Sequence, residues 1–324
     1  MRAIVCTAFN EPLATVERDD PTPGPGQVLV EVTAVGVNYV DALIVTGRYQ
    51  IKPPTPFSPG SEVSGQIVAC GEGVDQFTPG DRVLALPGFG GYVDRLVIDQ
   101  AKVSRIPDAL GDLQAAGFVQ SYCTALFALR NRGRLQPGEQ LLVLGAAGGV
   151  GRAAIDVGKA LGARVIAAAS SAERLAACTA LGADATIDYS HEDLKEKARE
   201  LSGGGVDLVF DPVGDHLAEP ALRAMGYDGR YLVIGFAGGE IPRLPINQVL
   251  LRNRNIVGVD WGAWSSAFQE AQTTLLSELL EMAGSGRLNP SEPHPYPFDA
   301  ASEALDDLIH RRVHGKIVLL PSTQ

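Results

Sequence analysis

Residues 141–151 read LLVLGAAGGVG: four aliphatic side chains, then four glycines between Gly145 and Gly151. A short apolar run closed by small residues is strand chemistry. The residues that follow, GGVGRAAIDVGKALG, carry helical spacing and stop at Gly162. The glycines therefore sit where a strand turns into a helix, and they clear side chains from that turn. The turn fits A-x-G-x-x-G with Ala146, Gly148 and Gly151. In such a turn the first small residue permits the bend, the second lets a pyrophosphate approach the main chain, and the third lets helix pack on strand. The helix N-terminus adds free N–H groups and a partial positive charge.

The same alternation continues downstream. RVIAAAS, ATIDY, VDLVFD, GRYLVIGF and NIVGVDWG read as further strands, with helices between them. Strands that are apolar almost throughout belong to a parallel sheet covered on both faces. Residues 116–257 are thus expected to form a doubly wound α/β (Rossmann) domain that binds a dinucleotide.

Residues 1–115 follow another grammar. PTPGPGQVLVEVTAVGVN and VSGQIVACGEGVDQFTPGDRVLAL are turn and strand runs with little helix apart from Tyr39 to Thr46, which predicts an all-β, barrel-like domain. Residues 258–324 hold an amphipathic helix, a Pro-rich turn (NPSEPHPYPF), a second helix and a closing strand, KIVLLP. That segment is too small to stand alone. Its strand is expected to complete the first domain, so that the α/β domain is inserted within the β domain.

The bulk numbers bound the function. The 324 residues are 45% hydrophobic and 20% charged, with a formal net charge of −11. That charge argues against nucleic acid or an anionic membrane as the main partner. The N-terminal MRAIVCTAFNEPL shows no signal-peptide apolar region and no run approaches a membrane span, so a cytoplasmic protein is expected. Cys6, Cys70, Cys123 and Cys178 are scattered, without metal or disulfide spacing.

The second strand indicates which dinucleotide. NAD sites place a carboxylate at its end to hold the ribose 2′-OH. Here the strand ends in Ser170-Ser171, with Arg174 in the following helix. Small hydroxyls and a guanidinium suit a 2′-phosphate. NADPH is preferred to NADH.

Taken together, AAGGVG, NYVDALIVTGRY, PFSPGSEVSGQIVACGEGV, PGDRV and IGFAGGEIP make the chain resemble the zinc-free quinone oxidoreductase branch of the medium-chain dehydrogenase/reductase superfamily over essentially its whole length. The resemblance implies a GroES-like β domain, a cofactor domain, a cleft between them, and a homodimer joined through NIVGVDWG. Zinc-dependent relatives place Cys, His and Cys where this chain has Asn38, Ser61 and Gln120, none of them a zinc donor. Glu62 remains beside them, expected to pair with a nearby donor.

Without a Lewis acid, hydride from NADPH favours a quinone or another electron-poor acceptor. The alternative is an activated alkene, an enone or enoyl thioester. A cofactor-binding protein with vestigial catalysis is a third class. The resemblance assigns Asn38 and Tyr49 to the nicotinamide end, as catalytic residues. It places Ser170, Arg174, Tyr189 and Arg311 around the 2′-phosphate and Phe236 near the nicotinamide. Thr124 and the turn residues Ala146, Ala147, Gly148, Gly149, Val150 and Gly151 complete the cofactor set. Asn38 also has a plainer role open to it, capping the next helix, and Asp41 can reinforce that helix start. Relatives with T-A-Y in the helix entering the cofactor domain have a Tyr where this chain has Leu126. The nearest Tyr is Tyr122, one turn earlier.

Overall fold

The computed structural model describes residues 1–321. The chain divides into two compact units, residues 1–120 with the segment from 292 onward, and residues 121–291.

In the first unit β1 (Arg2–Val5) pairs antiparallel with β2 (Ala14–Glu17). The long β3 (Gln27–Val37) is followed by α1 (Tyr39–Val45), β4 (Val63–Cys70), β5 (Arg82–Ala85), β6 (Arg95–Asp99), β7 (Val103–Arg105) and α2 (Asp112–Ala116). Along β3, Val28, Val30 and Val32 are buried while Glu31 and Thr33 face out, the period of two that a half-covered strand requires. Val30, Val32, Val63, Ile67, Val83 and Tyr92 belong to the core of this unit.

The second unit begins within α3 (Val119–Leu126) and continues as β8 (Gln140–Val143), α4 (Gly149–Ala160), β9 (Arg164–Ala169), α5 (Ala172–Ala180), β10 (Ala185–Asp188), α6 (Leu194–Leu201) and β11 (Val206–Asp211). It is completed by α7 (Ala218–Ala224), β12 (Met225–Val233), α8 (Asn247–Leu250), β13 (Asn255–Gly258), α9 (Trp261–Ala267) and α10 (Gln269–Gly284). The six strands run parallel in the order β10-β9-β8-β11-β12-β13. Leu141, Leu142 and Val143 have no exposed surface, as a strand covered on both faces must. The order reverses beside β8, so the glycine turn stands at the switch point where such sheets take their ligands.

The chain then returns to the first unit through β14 (His294–Pro297), α11 (Ala301–Ile309) and β15 (Ile317–Leu320). β15 pairs antiparallel with β3, Ile317 opposite Val37, so KIVLLP completes the β unit. Two details depart from the sequence reading. The Pro-rich stretch contains an edge strand, β14, parallel to β15. Proline is tolerated at an edge because it has no N–H to give. The return also comes later than residue 258. α10 stays with the sheet unit, because Gln272 donates to Cys123 Sγ at 3.5 Å and Arg130 grips Glu278 at 2.5 Å.

Candidate functional site

In the sheet unit, Gly145 stands two residues past β8 with a φ of +54°, and α4 starts from Gly148 as N-cap. Ala146 N–H donates to Ala168 O at 3.1 Å, which ties the turn to β9. A Cβ at Gly151 would lie 2.4 Å from Gly145 O and 2.8 Å from Ala146 Cα, so this glycine seats the helix on the strand end. A Cβ at Gly148 would meet only Gly145 O at 3.3 Å, so the main chain there is approachable from outside. The cap has no side chain, so the first amides of α4 are left for an external acceptor. Arg152 braces the turn by donating Nε–H to Ala147 O at 3.0 Å. Burial holds its pKa below the usual guanidinium range. The sequence reading missed Arg152, whose position in the helix carries no motif.

Ser170 follows β9, and its Oγ accepts from Arg174 Nη1 at 2.7 Å. Ser171, not Ser170, caps α5 by accepting from Arg174 N–H. The serine hydroxyl at the strand end is therefore left to the guanidinium. Tyr189 lies just past β10 and packs on the core of this unit. The turn (Ala146, Ala147, Gly148, Gly149, Val150 and Gly151), Ser170, Arg174 and Tyr189 thus collect at the ends of β8, β9 and β10. This arrangement fits NADPH: bare amides for a diphosphate, and a cation with a hydroxyl, without a carboxylate, for a 2′-phosphate. Thr124 is in α3, and Phe236 follows β12 with its ring against Gly214. Arg311 belongs to the other unit, exposed just after α11 at φ +57°.

In the β unit, Asn38 is 6% exposed and immediately precedes α1. Its side chain makes no cap bond to the helix. The Asp41 carboxylate does that work, accepting from Asn38 N–H at 2.9 Å. The Asn38 amide turns away, donating Nδ2–H to Glu62 Oε1 at 3.0 Å and accepting from Lys316 Nζ. Glu62, 1% exposed, also accepts from Lys316 Nζ at 2.7 Å and from Gln120 N–H at 2.9 Å. The expected donor partner of Glu62 is thus Lys316. Lys316 escaped the sequence reading because its proximity depends on β15 pairing with β3. Burial pushes the Asp41 carboxyl up to about 7, opposed by the Asn38 N–H and by Lys316, and reinforced by Glu62. The phenol of Tyr92, facing Asp41 at 3.5 Å, is raised well above its ordinary range by the same burial. Ser61 Oγ is buried with no hydrogen-bond partner among the described residues. Tyr49 follows α1, its N–H bonded to Leu43 O at 3.1 Å.

Tyr122 is occupied. Its hydroxyl donates to Asp156 Oδ2 at 2.8 Å, and Asn289 N–H donates to the same oxygen at 2.8 Å. Burial and the facing carboxylate raise its phenol well above the ordinary range. Among the described residues no three His, Cys, Asp or Glu side chains are grouped as a metal site requires.

Residues 24–126 match the alcohol dehydrogenase GroES-like domain family, and residues 149–278 the zinc-binding dehydrogenase family. The chain is 38% identical to quinone oxidoreductase-like protein 2 of Bos taurus, covering 98% of this chain and 92% of that protein. This chain belongs to the quinone oxidoreductase branch of the medium-chain dehydrogenase/reductase superfamily. Members of this branch have been solved with cofactor. The quinone oxidoreductase of Thermus thermophilus, whose complex with NADPH is known, shares 33% identity at a TM-score of 0.86, over 99% of this chain and 100% of that one. The Escherichia coli quinone oxidoreductase in complex with NADPH shares 29% identity at a TM-score of 0.88, with the same coverage. The chain is thus an oxidoreductase with a GroES-like β unit and a Rossmann-type sheet unit. No helix among the described residues is long and apolar enough to cross a membrane.

Proposed function

We propose that this oxidoreductase uses NADPH to reduce a quinone, or a similarly electron-poor acceptor, without zinc. The observation that carries the reading is the end of β9. Ser170 and Arg174 are bonded to each other beside an uncapped glycine turn, where an NAD site would present a carboxylate. The NADPH complexes of the relatives support it.

A bound NADPH would supply the hydride that, with one proton from solvent, reduces a quinone to its hydroquinone. The chain's own residues bind and orient. The α4 amides would neutralise the diphosphate, and Arg174 would hold the 2′-phosphate. Asn38 offers an amide N–H to the acceptor oxygen. Zinc independence rests on chemistry: Asn38, Ser61 and Gln120 stand at the ligand positions of the zinc-dependent relatives, and the Asn38 amide is already engaged with Glu62 and Lys316. The Tyr122 hydroxyl is already given to Asp156, which supports putting quinones ahead of enoyl thioesters.

Purified protein should oxidise NADPH faster than NADH with simple quinones, and chelators should leave the rate unchanged. No turnover with any of a panel of quinones, alongside turnover with enones, would move the assignment to activated alkenes. No turnover with either class, alongside retained NADPH binding, would favour a vestigial catalyst.

β13 is a sheet edge, and Ile256 on it, Ile246 and Leu250 before it and Tyr227 in the neighbouring β12 are exposed large side chains. Such an edge is suited to pairing with the same strand of a second copy. None of the four cysteines is disulfide-bonded, which suits the reducing cytoplasm.

A further inference from the structure

The Asn38 amide is gripped at both ends, and the chemistry of the grips fixes which end is which. A lysine ammonium has only donors and an ionised carboxylate only acceptors. Oδ1 must therefore face Lys316, and Nδ2 must face Glu62 Oε1 at 3.0 Å. A flipped amide would set N–H against N–H and oxygen against oxygen. The grips are themselves held. Glu62 is tied by Lys316 Nζ at 2.7 Å and by Gln120 N–H at 2.9 Å. The Lys316 and Glu62 side chains are 12% and 1% exposed. Gly36 makes the room, because a Cβ there would stand 2.7 Å from Glu62 Cγ and Oε1. Four separate pieces of chain build the network: the end of β3, the residue before β4, the start of α3 and the residue before β15.

Of the two Nδ2 hydrogens, one is used by Glu62. The ammonium on Oδ1 draws electron density from the amide and strengthens the remaining N–H as a donor. We propose that Glu62 and Lys316 are positioning residues that lock Asn38 with its second N–H outward and its oxygen withdrawn, so that the site selects acceptors presenting a carbonyl-type oxygen. This deepens the reading that Asn38 meets the acceptor, and it rests on that reading.

The test compares Lys316→Met, Lys316→Arg and the double variant Glu62→Gln/Lys316→Met, which leaves no unpaired buried charge if the single change fails to fold. Three quantities are read: kcat and KM with a simple para-quinone, NADPH affinity by fluorescence titration, and the Asn38 side-chain NH2 signals in protein labelled with 15N-asparagine. The neutral variants should lower kcat/KM about tenfold to a hundredfold, the range for a misplaced hydrogen-bond donor. NADPH affinity should stay within about twofold, and the Asn38 signals should shift. Lys316→Arg should restore both. Unchanged kcat/KM and unchanged Asn38 signals in the double variant would overturn the lock. Unaltered kinetics in Asn38→Ala would instead overturn the assignment of Asn38 to the acceptor, and this proposal with it.

Discussion

Replacing Arg174 with alanine isolates the feature that distinguishes the two nicotinamide dinucleotides. The guanidinium reaches Ser170 Oγ at 2.7 Å from the first turn of α5, and it is only part-buried. A hydrogen bond to a charged group contributes about 1.5–3 kcal/mol, and the partial exposure of Arg174 puts it toward the lower end. Taking about 2 kcal/mol, NADPH should bind roughly thirtyfold more weakly to Arg174→Ala. NADH has no 2′-phosphate, so its affinity should not move. Added salt should narrow the wild-type preference, because the lost contact is ionic. Titration calorimetry with both nucleotides at two salt concentrations measures all of this. Equal weakening for NADPH and NADH would mean that Arg174 supports the fold rather than the phosphate. No weakening for either would place the phosphate elsewhere. The reciprocal change, Ser170→Asp, should shift preference toward NADH by offering a carboxylate to the ribose hydroxyls.

Other perturbations test other levels. Gly151→Val puts a side chain into the backbone of Gly145 and Ala146, at 2.4 and 2.8 Å, and should abolish NADPH binding and lower the Tm; Gly148→Ala should keep the wild-type Tm and weaken NADPH in calorimetry. Asp41 titrates near 7 in the folded protein and near its ordinary value when unfolded, so its contribution to stability is full at low pH and is lost as pH rises through 7. Asp41→Asn should therefore gain on the wild type from roughly pH 4 to 7, by up to about 4 kcal/mol for roughly 3 pH units. Urea midpoints at pH 5 and 8 read the gain, and parallel pH profiles would contradict it. The proposed pairing of two copies through β13 predicts that Ile246→Glu with Leu250→Glu, at residues 83% and 78% exposed, lowers the mass seen in light scattering to that of one chain and leaves NADPH affinity unchanged; an unaltered mass would refute the pairing.

The parts of the molecule legible in the sequence were those encoded locally. The glycine turn, the apolar strands around it and the missing carboxylate after β9 are each read within a dozen residues. The six-stranded sheet followed from their repetition. What escaped depends on distant pairing. Lys316 meets Asn38 across 278 positions, through a strand register that no periodicity reveals. The occupation of Tyr122 by Asp156 depends on two helices packing, 34 positions apart. β14 was hidden because prolines suppress the usual strand signal, which an edge position overrides. The later return to the β unit was hidden because α10 looks amphipathic whichever unit it covers, and only its ties to Cys123 and Arg130 decide.

The return of β15 to β3 also sets an order of events during synthesis. Every residue of the parallel sheet is made before Lys316 exists, so the glycine turn can form while the Asn38 amide still lacks its ammonium.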